Sequence, residues 1–336
     1  MDKRNYRIDL LRFLAAGWVA LMHFNQPVPA LNNWYRNFVG LGYLGVPVFF
    51  VISGYCVYLA AEHSKTAKDF MIRRFFRIFP PYWFSILIVG TAVIISIIML
   101  GNNNVAVLPK TVAGIFETLT LLVVPFTNVQ VINWVYWTLI FEIFFYLIIW
   151  ISILLPGVLK SIWLILVSIL PLVLPVHEHW LFFFIKHWPE FCLGLIAYRL
   201  LHHTRKEILQ NVVLLALTLT GLWTVTLLRF IPVTSVIIVM LIGLNHFLPL
   251  RKNYVSKLGD YSYSIYLIHV PVGVFILGAV KQTKYVQSHP FINLGWDLIL
   301  LAIIVALSGL MYRFVELPAI KFAKNITQKS NAINPN

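Results

Sequence analysis

The chain reads as an all-α integral membrane protein of about ten transmembrane helices, with both termini in the cytoplasm. Three observations predict this. Hydrophobic residues make up 60% of its 336 residues, against about 45–50% in an ordinary soluble domain. Apolar runs recur without period-two alternation, which selects helices over a closed β-barrel, the other backbone form that lipid tolerates. Lysine and arginine fall on alternate loops. A soluble globular domain is thereby excluded.

A spanning helix needs about 20 apolar residues, and ten segments approach that length. The first, 8–26, follows a charged start like a secretion signal. No small-residue cleavage site follows and the run is long, so it reads as a retained helix. The second, 38–61, carries Ser53 and Gly54, small residues that permit close helix approach. The third, 80–100, is expected to start at Pro80–Pro81. The fourth is 134–155. The fifth, 161–176, is short and ends at Pro171 and Pro175. The rest are 180–201, 211–229, 231–248, 261–280 and 294–314. The longest stretch outside these spans is 101–133. Within it Val112, Ile115, Phe116, Leu119, Leu122 and Val123 recur at helical spacing. This predicts an amphipathic helix at the outer interface, or one folded back over a cavity. Residues 1–324 form one membrane domain on this reading, and 325–336 a disordered polar tail.

The net charge of +14 is a topology signal. Lys3, Arg4 and Arg7, the cations of 65–77, Lys160, and those of 199–206, 251–257 and 313–329 fall on one side. The other side carries Arg36, Lys110, Lys281 and Lys284, with Arg229 near the edge. That is the positive-inside pattern, and it leaves no need for a nucleic-acid partner. Cys56 and Cys192 lie in apolar segments and read as structural thiols, with no disulfide framework and no metal site.

Within this apolar chain, ionisable residues are the informative ones. A charged group at a bilayer centre costs about 2.5–3.5 kcal/mol on insertion scales. His23 and Arg12 share the first helix. They serve either as polar glue between helices or as a proton-handling site reached from a charged cytoplasmic mouth. Asp9, one turn before Arg12, can pair with it. Arg73, Arg74 and Arg77 cluster ahead of the third helix, and guanidinium forks bind phosphate in pairs of bonds. Their partner is a lipid headgroup or a phosphate-bearing cytosolic carrier. Glu142 is embedded in aromatic residues. By helical rise His23 lies about 22 Å from the inner edge and Glu142 about 12 Å below the outer edge. Across a core of about 30 Å the two share a depth, so Glu142 could orient the imidazole. Lys186 and Arg229 are its alternative partners. In LGDYSYSIYLIHVP, Ser262, Ile265, Tyr266 and His269 share one helix face, as helix glue or as a tunnel wall. Ser53, Trp137, Ser264, Tyr266 and His269 are candidates to line a tunnel or acceptor path.

Taken in order, these segments resemble the integral-membrane acyltransferase family that O-acylates bacterial surface polysaccharides, acyltransferase family 3. The matching pieces are the R-x-D-x-L-R-F-x-A-A opening with its Arg12-to-His23 spacing, GVPVFFVISGY, RRFFRIFPPY, WTLIFEIFFY, FCLGLIAY, LGDYSYSIYLIHVP and the terminal Glu316-Leu317-Pro318. They cover about residues 5–320. The resemblance implies a bacterial inner-membrane O-acetyltransferase of the stand-alone form, without the extracytoplasmic esterase-like domain that many members carry. It puts His23 in the place of the family's essential histidine, a general base or acyl relay, with Glu142 as the buried glutamate. Arg12 takes the place of the arginine paired with that histidine. Arg74 and Arg77 match the basic pair thought to engage acyl-CoA phosphates, with Arg73 beside them. The expected partners are acetyl-CoA as co-substrate, a surface glycan or lipid-linked glycan as acceptor, and membrane lipid. No bound cofactor, metal or nucleic acid is expected. The competing reading is a non-enzymatic glycan or lipid transporter, against which the lack of an evident inverted repeat counts.

Overall fold

The structure, a computed structural model, describes residues 4–27, 32–101, 103, 106–174, 182–202, 207–226, 230–278, 281 and 283–333. Every regular element among them is helical, as the apolar patterning predicts. Helix α1 is Tyr6–Asn25; Asn5 caps it by accepting the Arg7 and Ile8 N–H groups. Helix α2 (Trp34–Gly40) runs through a tight turn into α3 (Gly45–Glu62). Then follow α4 (Ala67–Leu100), α5 (Val112–Thr120), α6 (Trp137–Leu154), α7 (Gly157–Val173), α8 (Trp188–His202), α9 (Ile208–Val225) and α10 (Phe230–Phe247). Helix α11 (Tyr254–Leu258) leads to α12 (Ser262–Ile268), which widens into a π-type segment, His269–Ile276. Helices α13 (Lys284–Ser288) and α14 (Pro290–Met311) follow, then a second π-type segment, Tyr312–Glu316, and α15 (Leu317–Ile333).

Five described helices are long and apolar enough to cross a membrane: Trp34–Glu62, Ala67–Met99, Trp134–Leu154, Ile208–Val225 and Pro290–Lys329. Two shorter apolar helices, Gly157–Val173 and Phe230–Asn245, accompany them. The described parts of the other expected spans are helical too. However, α1 carries Asp9 and Arg12, α8 is short, and 261–280 is broken at His269. Lys3, Pro175, Arg205, Lys206 and Arg229 lie outside the described residues.

Two boundaries differ from the sequence reading. Helix α4 starts at Ala67, not at Pro80, because Thr66 caps it by accepting the Asp69 N–H. The prolines sit inside it, each removing one N–H from the helix ladder; Tyr263 donates to the Ile78 carbonyl just before them. The basic segment is therefore helix, not loop. Residues 325–333, expected as a disordered tail, continue α15, with Thr327 buried against Arg73 of α4. Residues 334–336 of that tail lie outside the described residues. Helix α5 doubles back along α4, whose Tyr82 and Trp83 donate to the Thr118 and Leu119 carbonyls. Its Val112, Ile115 and Phe116 face outward.

The tightest packing joins α3 to α8. A Cβ on Gly54 would lie 1.9 Å from the Phe191 carbonyl oxygen, and one on Gly194 1.8 Å from that of Val51. Only glycine lets the two backbones approach this closely. At the far end of α1, buried Asp297 of α14 accepts from Asn25 (2.6 Å), Tyr35 (2.6 Å) and Lys281 (2.5 Å). Arg36 closes this knot on the Asn25 carbonyl (2.6 Å). It pins the C-terminal end of α1, two residues beyond His23.

Candidate active site

Helices α1, α3, α4, α6, α12 and α15 enclose a cavity of about 460 Å³. Its wall is cationic at one end. Arg12 comes from α1, Arg73, Arg74 and Arg77 from α4, and Lys324 from α15. The arginines of α4 fall here because the early helix start puts them three and four residues apart, on neighbouring positions of one face. The other end is aromatic and weakly polar, with Phe49, Phe50, Thr138 and Tyr266.

The cations are not equivalent. Arg77 donates to Glu316 (2.8 Å), a fully buried carboxylate that also accepts from Ser264 (2.9 Å). Arg73 donates to Thr327 at 3.2 and 3.1 Å. Arg74 lies over the rings of Phe70 and Tyr146, at 5.6 and 5.5 Å, and its buried Nε has no hydrogen-bond partner. Arg12 makes no hydrogen bond or ion pair with any described residue. Two guanidinium groups thus face the cavity without a carboxylate. Asp9, expected to pair with Arg12, is taken instead by Arg4 (2.6 Å), which also reaches Asp260 (2.5 Å). Burial alone would lower the Arg4 pKa, but these two bonds outweigh it and raise it. A second cavity of about 530 Å³, with Arg4, Asn5, Asp9, Tyr55 and His202 in its wall, adjoins the first; Arg12 and Cys56 line both.

Glu142 lines the first cavity and accepts from Ser53 (3.1 Å) and Tyr146 (2.5 Å). It makes no hydrogen bond to His23, so the expected carboxylate–imidazole pair does not form. Equal depth did not bring the two together because α3 stands beside α6 and its Ser53 takes the carboxylate. His23 pairs with a second imidazole: its Nδ1 lies 3.0 Å from His269 Nε2. His269 is fully buried, and its Nδ1 is 3.0 Å from the Ile265 carbonyl oxygen. Trp134 covers the half-buried His23 ring, with centroids 6.5 Å apart.

His23 does not line the cavity. Tyr266 stands between. Its hydroxyl bonds Thr138 (2.7 Å) and the Val135 carbonyl (2.9 Å), and its ring packs on His269 with centroids 5.8 Å apart. The structure therefore gathers Arg12, Arg73, Arg74, Arg77, Ser53, Glu142 and Tyr266 around one space and sets His23 and His269 behind its apolar end. Ser264 supports Glu316 from outside. Trp137 does not line the cavity; its ring meets Phe141 edge-on and lies tilted against His187. The sequence reading passed over Tyr146 and Lys324, and weighed Glu316 lightly. An acidic residue at the end of a spanning helix, opposite an arginine helix, is the signal that could have raised it.

A cavity lined by cations on one part of its wall and by aromatic, weakly polar groups on another fits an anion carrying a long, weakly polar arm. A family profile described as an acyltransferase domain matches residues 5–313. Proteins named "Putative O-acetyltransferase" in Staphylococcus aureus strains COL, MSSA476 and MRSA252 are 32% identical over 115 residues. That match spans 32% of this chain and 17% of each relative's length. No solved structure matches the chain.

Proposed function

The chain belongs to this acyltransferase family, and on that premise we propose that it is an inner-membrane O-acetyltransferase. It moves an acetyl group from cytosolic acetyl-CoA to a hydroxyl of a surface polysaccharide or lipid-linked glycan. Ten spanning segments and cytoplasmic termini complete this reading, since the basic mouth then opens where acetyl-CoA is found.

One observation carries it: two guanidinium groups without carboxylate partners, Arg12 and Arg74, in the wall of a cavity whose Tyr266 packs on the His269 that pairs with His23. Phosphate oxygens supply the missing partners, and charge-assisted bonds of this kind are about twice as strong as neutral ones. Glu142 commits one oxygen to Ser53 and Tyr146; the other accepts from amide N–H groups of the donor's arm. The thioester passes the Tyr266–Thr138 contact to reach His23. There His23 Nε2 takes the proton of the acceptor hydroxyl while the oxygen attacks the thioester carbonyl. The C–S bond breaks, and the departing thiolate takes that proton back from Nε2, giving ester and CoA thiol. General-base help of this kind is worth about 10²–10⁴-fold.

The test is mass spectrometry of surface glycans from deletion strains complemented with wild-type or His23→Ala protein. The wild type restores one acetyl unit per repeat and His23→Ala does not, at equal membrane abundance. Full acetylation by His23→Ala would refute the assignment.

A further inference from the structure

The mechanism needs a free lone pair on His23 Nε2, which requires the ring proton to sit on Nδ1. A neutral imidazole carries one N–H, on either nitrogen, and the choice is set by the hydrogen bonds of the ring. Carboxylates usually make that choice. Here the nearest candidate, Glu142, is bonded elsewhere.

From the hydrogen-bond chain behind the cavity, we infer that His269 is the positioning residue that fixes the tautomer of His23. The chain starts at a group whose role is not adjustable. The Ile265 carbonyl can only accept, so His269, 3.0 Å away at Nδ1, must hold its proton there. The Nε2 of neutral His269 is then an acceptor. His23 Nδ1, 3.0 Å from it, must be the donor. His23 Nε2 is left unprotonated, as the reaction requires.

The backbone enforces this. The π-type segment begins at His269, where Pro271 cannot supply an N–H. Tyr266 packs on the His269 ring from the cavity side. Both nitrogens of the buried imidazole are thereby within hydrogen-bond distance of a partner.

This inference rests on His23 being the base, and the experiment separates the two. Full-length protein with ¹⁵N-labelled histidine, in lipid nanodiscs near neutral pH, is examined by NMR. CoA release from acetyl-CoA is followed in vesicles of native membrane. His23 is expected to hold its proton on Nδ1 in the wild type. In His269→Leu this preference is lost, and CoA release falls about 10²-fold or more with the acetyl-CoA KM changed less than about threefold, since His269 does not line the donor cavity. His269→Gln, which keeps an acceptor and cannot ionise, retains activity within about tenfold. A wild-type His23 protonated on Nε2 overturns the inference even if the variants fail to fold. So does undiminished turnover by His269→Leu, or an equal loss in His269→Gln and His269→Leu. Undiminished turnover by His23→Ala instead overturns the function itself and leaves the tautomer measurement standing.

Discussion

Arg74 and Arg77 are three residues apart on one helix, line one cavity and carry one charge, yet their surroundings assign them different work. Arg77 neutralises Glu316, which has no exposed surface. Removing one partner of a buried pair typically costs about 3–5 kcal/mol, because the other charge is left without compensation. Arg74 has no acidic partner and only two ring contacts, worth about 0.5–1 kcal/mol at such sites. Thermal unfolding in detergent should therefore show Arg77→Met strongly destabilised and Arg74→Met changed by about 1–2 kcal/mol at most. Acetyl-CoA affinity, measured by calorimetry, should fall at least about tenfold in Arg74→Met, the equivalent of about 1.4 kcal/mol. A stable Arg77→Met protein, or an Arg74→Met protein with undiminished affinity, would contradict this division. The same scale explains why His23 was legible and its partner was not. An imidazole in an apolar run stands out in any sequence, but its neighbour lies 246 positions away, and depth alone favoured Glu142 equally.

At the scale of elements, contacts between helix backbones hold the site in register. The α3–α8 contact depends on Gly54 and Gly194, where any Cβ would meet a carbonyl oxygen. Since helix backbone cannot shift as a flexible side chain does, Gly54→Ala should cost at least the roughly 1–3 kcal/mol of ordinary overpacking. It should also displace Ser53, and with it Glu142. The check is a detergent melting curve beside acetyl-CoA binding; Gly90→Ala, which has open space around its Cβ, serves as the control. The Asp297 knot is the second such device. Asp297→Ala strips Asn25, Tyr35 and Lys281 of a shared acceptor and leaves a cation among apolar helices. It should destabilise by about 3–5 kcal/mol and loosen the end of α1 that holds His23. Hydrogen exchange of the α1 amides would reveal whether it does. Two π-type segments begin at His269 and end at Glu316. Such irregular turns are often found at functional sites, and both residues here belong to buried polar chains.

For the whole molecule, the decisive feature is a cavity lined by Arg12, Arg73, Arg74, Arg77 and Lys324, which the proposed topology opens to the cytoplasm. Cys56 lines both cavities beside Arg12, whereas Cys192 is buried between Ser168 and Thr218. A membrane-impermeant thiol reagent should modify Cys56 in inside-out vesicles and not in right-side-out ones. Acetyl-CoA should slow that modification, and Cys192 should stay unmodified from either side. Equal labelling from both sides would contradict the proposed topology.

The sequence by itself determined the helical class, the membrane setting and the identity of nearly all the cavity's cations, because apolar run length and the insertion cost of charge are local properties. It also marked His23, Arg12, Arg74 and Glu142, residues too costly in lipid to be incidental. Where α4 begins was hidden by its prolines, since a helix interrupted by proline survives only if neighbours satisfy its backbone. Partner choice was decided by the tertiary structure alone: Glu142 with Ser53 and Tyr146, Arg77 with Glu316, His23 with His269. Hydrogen bonds form between nearest atoms, and which atoms are nearest depends on how helices distant in sequence are packed and rotated against one another.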